Sequence, residues 1–176
     1  MDALHALKTR RSIRQFTAEP VPNEKILTIL ECAMYAPSAC NQQPWQFVVI
    51  DDREILDAIP PFHPYANMLK EAPLAVVVCS DARLETIGGY WEQDCSAAME
   101  NLLLAVHAVD LGGVWLGVHP LQERVEKLRE LLNLPKEVTP LGIAAIGYPA
   151  ETKGKVERYL KDRVHHNNWQ TSWDGK

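Results

Sequence analysis

Apolar residues recur every three or four positions across residues 91–110, at Cys95, Ala98, Met99, Leu102, Ala105, Val106 and Val109. That spacing puts them on one face of a helix and predicts the longest helix of the chain, with the following Gly112-Gly113 pair as its expected stop. Residues 23–34 show the same period. There Asn23 stands where an N-cap would follow Pro22, Glu24 falls in the first turn and Pro37 lies beyond the end. Residues 46–50 and 74–79 are short β-branched runs bounded by turn residues, and they predict strands buried on both faces. Residues 114–118 and 141–147 predict two further strands, and 123–132 a charged amphipathic helix. Such alternation implies an α/β or α+β sandwich with helices covering a central sheet, and it leaves the strand order open. From residue 148 onward the apolar period stops, yet Tyr159, Trp169 and Trp173 need cover. The 148–176 tail is therefore expected to pack on another surface or on a partner subunit.

No repeat or flexible linker divides the 176 residues, which suit one domain spanning 1–176. With 47% hydrophobic and 23% charged residues the chain can bury a core, which excludes a disordered class. A net charge of −5 argues against a nucleic-acid or anionic-membrane surface. No apolar run approaches the ~20 residues of a bilayer span, and the N-terminal pattern is not that of a secretory signal. A cytoplasmic location is the expectation.

Cys32, Cys40, Cys79 and Cys95 form no C-x-x-C pair, so zinc and dithiol chemistry lack support and reduced thiols are expected. Cys40 stands in a polar loop, but a thiol hydrolase would need a base and none lies nearby in sequence. His5, His63, His107 and His119 have no matched partners and receive no catalytic role. G-x-G-x-x-G, G-x-x-x-x-G-K-[ST] and H-E-x-x-H are all missing, so the sequence offers no Rossmann nicotinamide site.

Two constellations carry chemistry. Lys8, Arg10, Arg11 and Arg14 bracket Ser12 with no carboxylate between Asp2 and Glu19. Guanidinium forks and a hydroxyl make an anion site, although cations at a solvated helix end would look the same. A second basic cluster, Lys153, Lys155, Arg158, Lys161 and Arg163, is interleaved with acids and reads mainly as charged surface. The other constellation is the stiff loop Ala36-Pro37-Ser38-Ala39-Cys40-Asn41-Gln42-Gln43-Pro44-Trp45. Its amides and hydroxyl can bond a heteroaromatic edge, while plain turn chemistry explains the same residue types.

Together, Arg10-Arg11-Ser12-Ile13-Arg14-Gln15-Phe16 and the 36–45 loop resemble the nitroreductase family of FMN-dependent oxidoreductases. Asn67-Met68-Leu69-Lys70 before Ala72-Pro73, Gly112-Gly113-Val114-Trp115-Leu116-Gly117, Gly147-Tyr148-Pro149 and His165-His166-Asn167-Asn168-Trp169 follow in the family's order, so the resemblance spans nearly the whole chain. It implies an α+β sandwich with a mostly antiparallel central sheet flanked by helices. It also implies an intertwined homodimer holding FMN at the subunit interface.

Carried onto this sequence, the resemblance gives Arg10 and Ser12 the FMN phosphate, Arg11 the phosphate and ribityl region, and Arg14 the pyrimidine side of the ring. Pro37, Ser38, Ala39 and Asn41 would come from the partner subunit. Asn67 and Lys70 would stand near flavin N5 and the N1/C2 carbonyl edge, where a cation stabilises the negative charge of reduction. The same positions also suit a helix cap for Asn67 and an exposed lysine paired with Glu71 or Asp57 for Lys70. Trp115, Leu116 and Gly117 would lie against the isoalloxazine, and Arg158 or Lys155 would reach the phosphate.

The implied activity is ping-pong hydride transfer from NADH or NADPH through flavin N5 to a nitroaromatic, quinone or similar acceptor. The flavin carries the chemistry, tuned by Lys70 and Arg14, with no side-chain acid or base and no metal. Arg83, Tyr90 and Trp91, with Phe62 and Tyr65, are expected to border the substrate cleft. Alternatives are a specialised flavoenzyme of the same fold, dehalogenating or flavin-fragmenting, and a non-catalytic FMN sensor or store.

Overall fold

The computed structural model describes residues 1–173 and 175. Four strands, β1 (Trp45–Ile50), β2 (Leu74–Asp81), β3 (Gly112–Gly117) and β4 (Val138–Gly147), form one antiparallel sheet in the order β1-β2-β4-β3. Among the described residues five α-helices accompany it: α1 (Ala3–Thr9), α2 (Asn23–Met34), α3 (Arg53–Ala58), α4 (Trp91–Ala108) and α5 (Gln122–Leu132).

Strand side chains alternate between opposite faces, and here the two faces feed two cores. Ala75, Val77 and Cys79 of β2, with Ile143 and Ala145 of β4, meet Leu56 of α3 and Val125 and Leu128 of α5. Leu74, Val76 and Val78, with Ala144 and Ile146, meet Ile29 and Ala33 of α2 and Ala98, Met99 and Leu102 of α4. The α2–α4 pair thus covers one face, and α3, α5 and the single turn Asn67–Lys70 cover the other. This is the expected α+β sandwich, and all three strand pairings are antiparallel.

Several local expectations need correction. The strand β1 is an edge strand with its middle half-buried or exposed, so only β2 and β4 are covered on both faces. Asn23 is the first helical residue of α2, whose cap is Pro22 with no side-chain hydrogen bond. The α4 helix ends at Ala108, and the chain reverses through Asp110 at φ 63° rather than through the glycine pair. Gly112 and Gly113 belong to β3. A Cβ on Gly112 would sit 2.9 Å from Ile13 side-chain atoms, and one on Gly113 would sit 3.3 Å from Ala145 O. These bare positions let the chain after α1 lie along the free edge of β3, where Ser12 bridges Gly113 and the Ile13 amide donates to Gly113 O at 3.0 Å.

The helices α1 and α3 were not anticipated. Asp2 caps α1 by accepting from the His5 amide, and Asp52 caps α3 by accepting from the Glu54 and Ile55 amides. The tail begins by zipping onto the N-terminal segment: the Thr17 amide donates to Tyr148 O and the Ala150 amide to Gln15 O, both at 2.9 Å. Farther on, Trp169 stacks on His165 with ring centroids 4.4 Å apart yet stays 78% exposed, and Tyr159 is also exposed. The tail's last positions, 174 and 176, lie outside the described residues. No described helix is long and apolar enough to cross a membrane.

Candidate functional site

Extension after α1 sorts the basic segment. Ile13 and Phe16 are buried in the α3/α5-side core, so the arginines around them diverge. Arg10 and Arg11 line a cavity of about 920 Å³ with Lys8, Lys155 and Arg158, five cations accompanied by Glu157. The structure thus brings the C-terminal basic pair to the N-terminal cluster. Carboxylates absent from the local sequence also approach: Arg10 Nε lies 3.5 Å from a Glu100 oxygen, and Glu151 accepts from the Arg14 amide at 2.6 Å. Pairing with Lys153 and this amide hold the Glu151 carboxyl below the usual range. Arg11 donates to the carbonyls of Lys8, Arg10 and Gly154, which commits part of its fork to the backbone. Ser12 is half-buried at its bridge to Gly113 and lines neither this cavity nor the next.

Arg14 lines a different cavity, of about 460 Å³, with Tyr65, Asn67, Trp115, Leu116, Gly117 and Arg124. That volume falls within the range of small-molecule sites. Its floor is the end of β3. A Cβ built on Gly117 meets nothing within 4 Å, so the backbone presents an open face there. Trp115 is 36% exposed, and its indole lies over Gly142 of β4, where a Cβ would overlap it.

Two donors fix the Gly117 carbonyl, His63 Nε2 at 2.8 Å and Arg124 Nη1 at 2.9 Å. The His63 ring is 1% exposed, and burial holds it below its ordinary pKa, which keeps the ring neutral with its proton on Nε2. Its Nδ1 is buried without a hydrogen-bond partner among the described residues.

Asn67 and Lys70 share one 3₁₀ turn, capped by neither side chain, but they face different spaces. Lys70 is exposed and lines a neighbouring cavity with Phe16, Asp51 and Arg53. It has no ion pair among the described residues: Asp57 is taken by Arg53 at 3.1 Å, and Glu71 pairs with no cation there. Of the residues expected to border a cleft, Tyr65 reaches the Gly117 cavity. Phe62 packs against the α3/α5-side core, Arg83 forms a fork with Asp81, and Trp91 meets the His119 ring edge-on.

The 37–41 loop lines neither the Gly117 cavity nor the arginine cavity of its own chain. It is rigidly built. Cys40, Asn41 and Gln43 have φ of 47°, 56° and 47°, a costly conformation for residues with side chains. Asp94, buried in the first turn of α4, accepts from the Ala39 amide at 2.9 Å and from Gln42 Nε2 at 2.7 Å. Gln42 Oε1 in turn accepts from the Thr86 and Ile87 amides. Sequence reasoning missed this acid, although it stands four residues before Ala98 on the apolar face of α4.

Three of the four histidines without an expected partner do have one: besides His63, His107 bonds Thr9 at 2.8 Å and His119 bonds Glu92 at 2.7 Å. All four cysteines are free thiols. Burial pushes Cys79 and Cys95 up to about 12, which makes them inert packing residues.

An open backbone floor with an amide and a guanidinium beside it lies in one cavity, and a group of five cations lines another. The chain is similar to several known proteins. A protein of Methanothermobacter thermautotrophicus, provisionally named an NADH dehydrogenase/NAD(P)H nitroreductase, is 49% identical over 169 residues, covering 96% of this chain and 88% of that protein. A crystal structure from Clostridium acetobutylicum, provisionally named an NADH oxidase, superposes with a TM-score of 0.90 at 44% identity, covering 93% of this chain and 99% of that one. A nitroreductase, also provisionally named, from Desulfovibrio desulfuricans in complex with FMN gives 0.82 at 31% identity, covering 96% and 98%. The model of the Nitroreductase family matches residues 7–64 and 62–148, and the chain belongs to that family.

Proposed function

We propose that this chain is an NAD(P)H-dependent FMN oxidoreductase acting as a homodimer on a nitroaromatic, quinone or similar acceptor. The observation that carries the reading is the open Gly117 backbone beside Asn67 and Arg14, in one cavity with Trp115 and Leu116. FMN, when bound, would supply two-electron redox chemistry between NADH or NADPH and the acceptor.

The chain's residues bind and orient. The Trp115, Leu116 and Gly117 backbone forms the floor, and the His63 and Arg124 hydrogen bonds hold it still. Arg14 supplies positive charge on one side of that floor. Lys70, exposed and without an ion pair among the described residues, lines a neighbouring cavity, and its part in tuning the cofactor rests on the family resemblance. Lys8, Arg10, Arg11, Lys155 and Arg158 suit a phosphate, with Ser12 as the least direct member of that set. Pro37, Ser38, Ala39 and Asn41 serve the partner subunit's cofactor, a role supported by a stiff loop that lines neither cavity of its own chain.

With no dinucleotide motif in the sequence, donor and acceptor take turns in the Gly117 cavity, which requires parallel lines in two-substrate kinetics. The test is the visible spectrum of the purified protein, recorded anaerobically before and after NADH and then NADPH, with the mass in solution measured alongside. Flavin bands that bleach, in a dimer with one FMN per chain, are the expected result. A protein that neither carries nor takes up FMN refutes the reading.

A further inference from the structure

Arg124 is a cation without an acid. It makes no ion pair among the described residues, although the chain as a whole carries a net charge of −5. It is held in place all the same. Its Nη1 donates to Gly117 O at 2.9 Å, and its guanidinium carbon lies 5.6 Å from the centre of the Tyr65 ring. Two contacts fix the planar fork, and its other donors have no hydrogen-bond partner among the described residues.

The cavity that Arg124 lines contains Arg14 as a second cation and no Asp or Glu. Tyr65 is 72% exposed and stands with Trp115 as an aromatic wall. Under the proposed function Arg14 is engaged with the cofactor. Arg124 is then the cation left for whatever enters above Gly117.

We propose that Arg124 reads an anionic group, a carboxylate or a phosphate, on the molecule that enters the Gly117 cavity. The site then favours an anionic ligand over a neutral one of the same shape. This deepens the flavoenzyme reading and rests on it for where the substrate sits, whereas the anion contact belongs to the chain itself. The charge has two possible carriers, a carboxylate on an aromatic acceptor or the 2′-phosphate of a nicotinamide donor.

Titration calorimetry on the protein as purified with FMN separates them. One pair of ligands is 4-nitrobenzoate and 4-nitrobenzyl alcohol, and the other is NADP⁺ and NAD⁺. In each protein the Kd ratio within a pair is the readout, so general loosening of the fold cancels. A charge-assisted hydrogen bond predicts about a tenfold preference for the anionic member of at least one pair. Arg124→Gln brings that ratio to near one and Arg124→Lys retains part of it. Preference in the nitrobenzoate pair assigns the charge to the acceptor, and preference in the dinucleotide pair assigns it to the donor. A wild type with no preference in either pair, or an Arg124→Gln protein that keeps it, overturns the proposal. A protein that takes up no FMN yet shows the Arg124-dependent preference overturns the flavoenzyme reading and supports this one.

Discussion

Replacing Asp94 by Asn alters one atom and breaks a hydrogen-bond polarity. The two carboxylate oxygens accept from Ala39 N–H and from Gln42 Nε2, and an amide can accept at only one of these places. Gln42 cannot turn over to compensate, because its Oε1 already receives the Thr86 and Ile87 amides. Asp94 is 4% exposed and Gln42 8%, so water does not repair the mismatch. A buried donor left facing a donor costs about 1–3 kcal/mol, a large share of a domain stability of roughly 5–15 kcal/mol.

With a urea slope of about 2 kcal/mol/M, the midpoint falls by about 0.5–1.5 M. Asp94→Leu, which strands both donors, falls further. Glu92→Gln on the same helix removes the exposed His119 pair and shifts stability by less than about 0.5 kcal/mol. Urea unfolding followed by circular dichroism measures all three. An Asp94→Asn midpoint within about 0.2 M of wild type would refute the argument, since that change corresponds to less than the cost of one unmet buried donor.

Further expectations concern the site and the thiols. A Cβ at Gly117 meets no atom within 4 Å, so in Gly117→Ala the melting temperature should change little while FMN affinity drops about tenfold; unchanged FMN affinity would remove Gly117 from the proposed floor. Burial, outweighing the Gly117 hydrogen bond, depresses His63 from 6.5. The unfolded chain therefore takes up a proton first, and stability is complete above pH 6.5 and declines as pH falls toward the folded value. His63→Gln should flatten that decline in urea midpoints measured from pH 7 to about 5, leaving the part due to His107, which burial also depresses. Ellman's reagent on the native protein should spare Cys79 and Cys95 and reach all 4 cysteines only in denaturant; prompt native labelling of either would contradict their burial.

How far the fold could be read from sequence depended on how local each cause was. The β2 run and the α4 period were plain because one element buries several residues of one kind. The cover of β1 was overstated because a β-branched run looks the same at a sheet edge as at its centre. The short α1 spans seven residues with Ala6 alone buried, too few for a period to show, whereas Asp52 before α3 was a readable cap. The Gly112-Gly113 pair mimicked a helix stop because glycine is needed equally where two backbones touch.

At the site, the division of labour between Arg10 and Arg14 followed from family resemblance. Glu100, Glu151, His63 and Arg124 came into view only in three dimensions. Gln42 and Asp94 lie 52 positions apart, and no local pattern joins them.

The seam between the chain's two ends sets an order of assembly. Arg11 bonds Gly154 across 143 positions and the Arg14 amide bonds Glu151 across 137, among the most distant closures available to a polypeptide of this length. Closing loops of that length costs more chain entropy than pairing neighbouring elements. During synthesis the N-terminal arginines therefore wait, already made but unplaced, until the stretch beyond β4 has emerged. The surface suited to an anion is complete only when residues 4–11 and 155–159 have met, so it needs both ends of the chain in place.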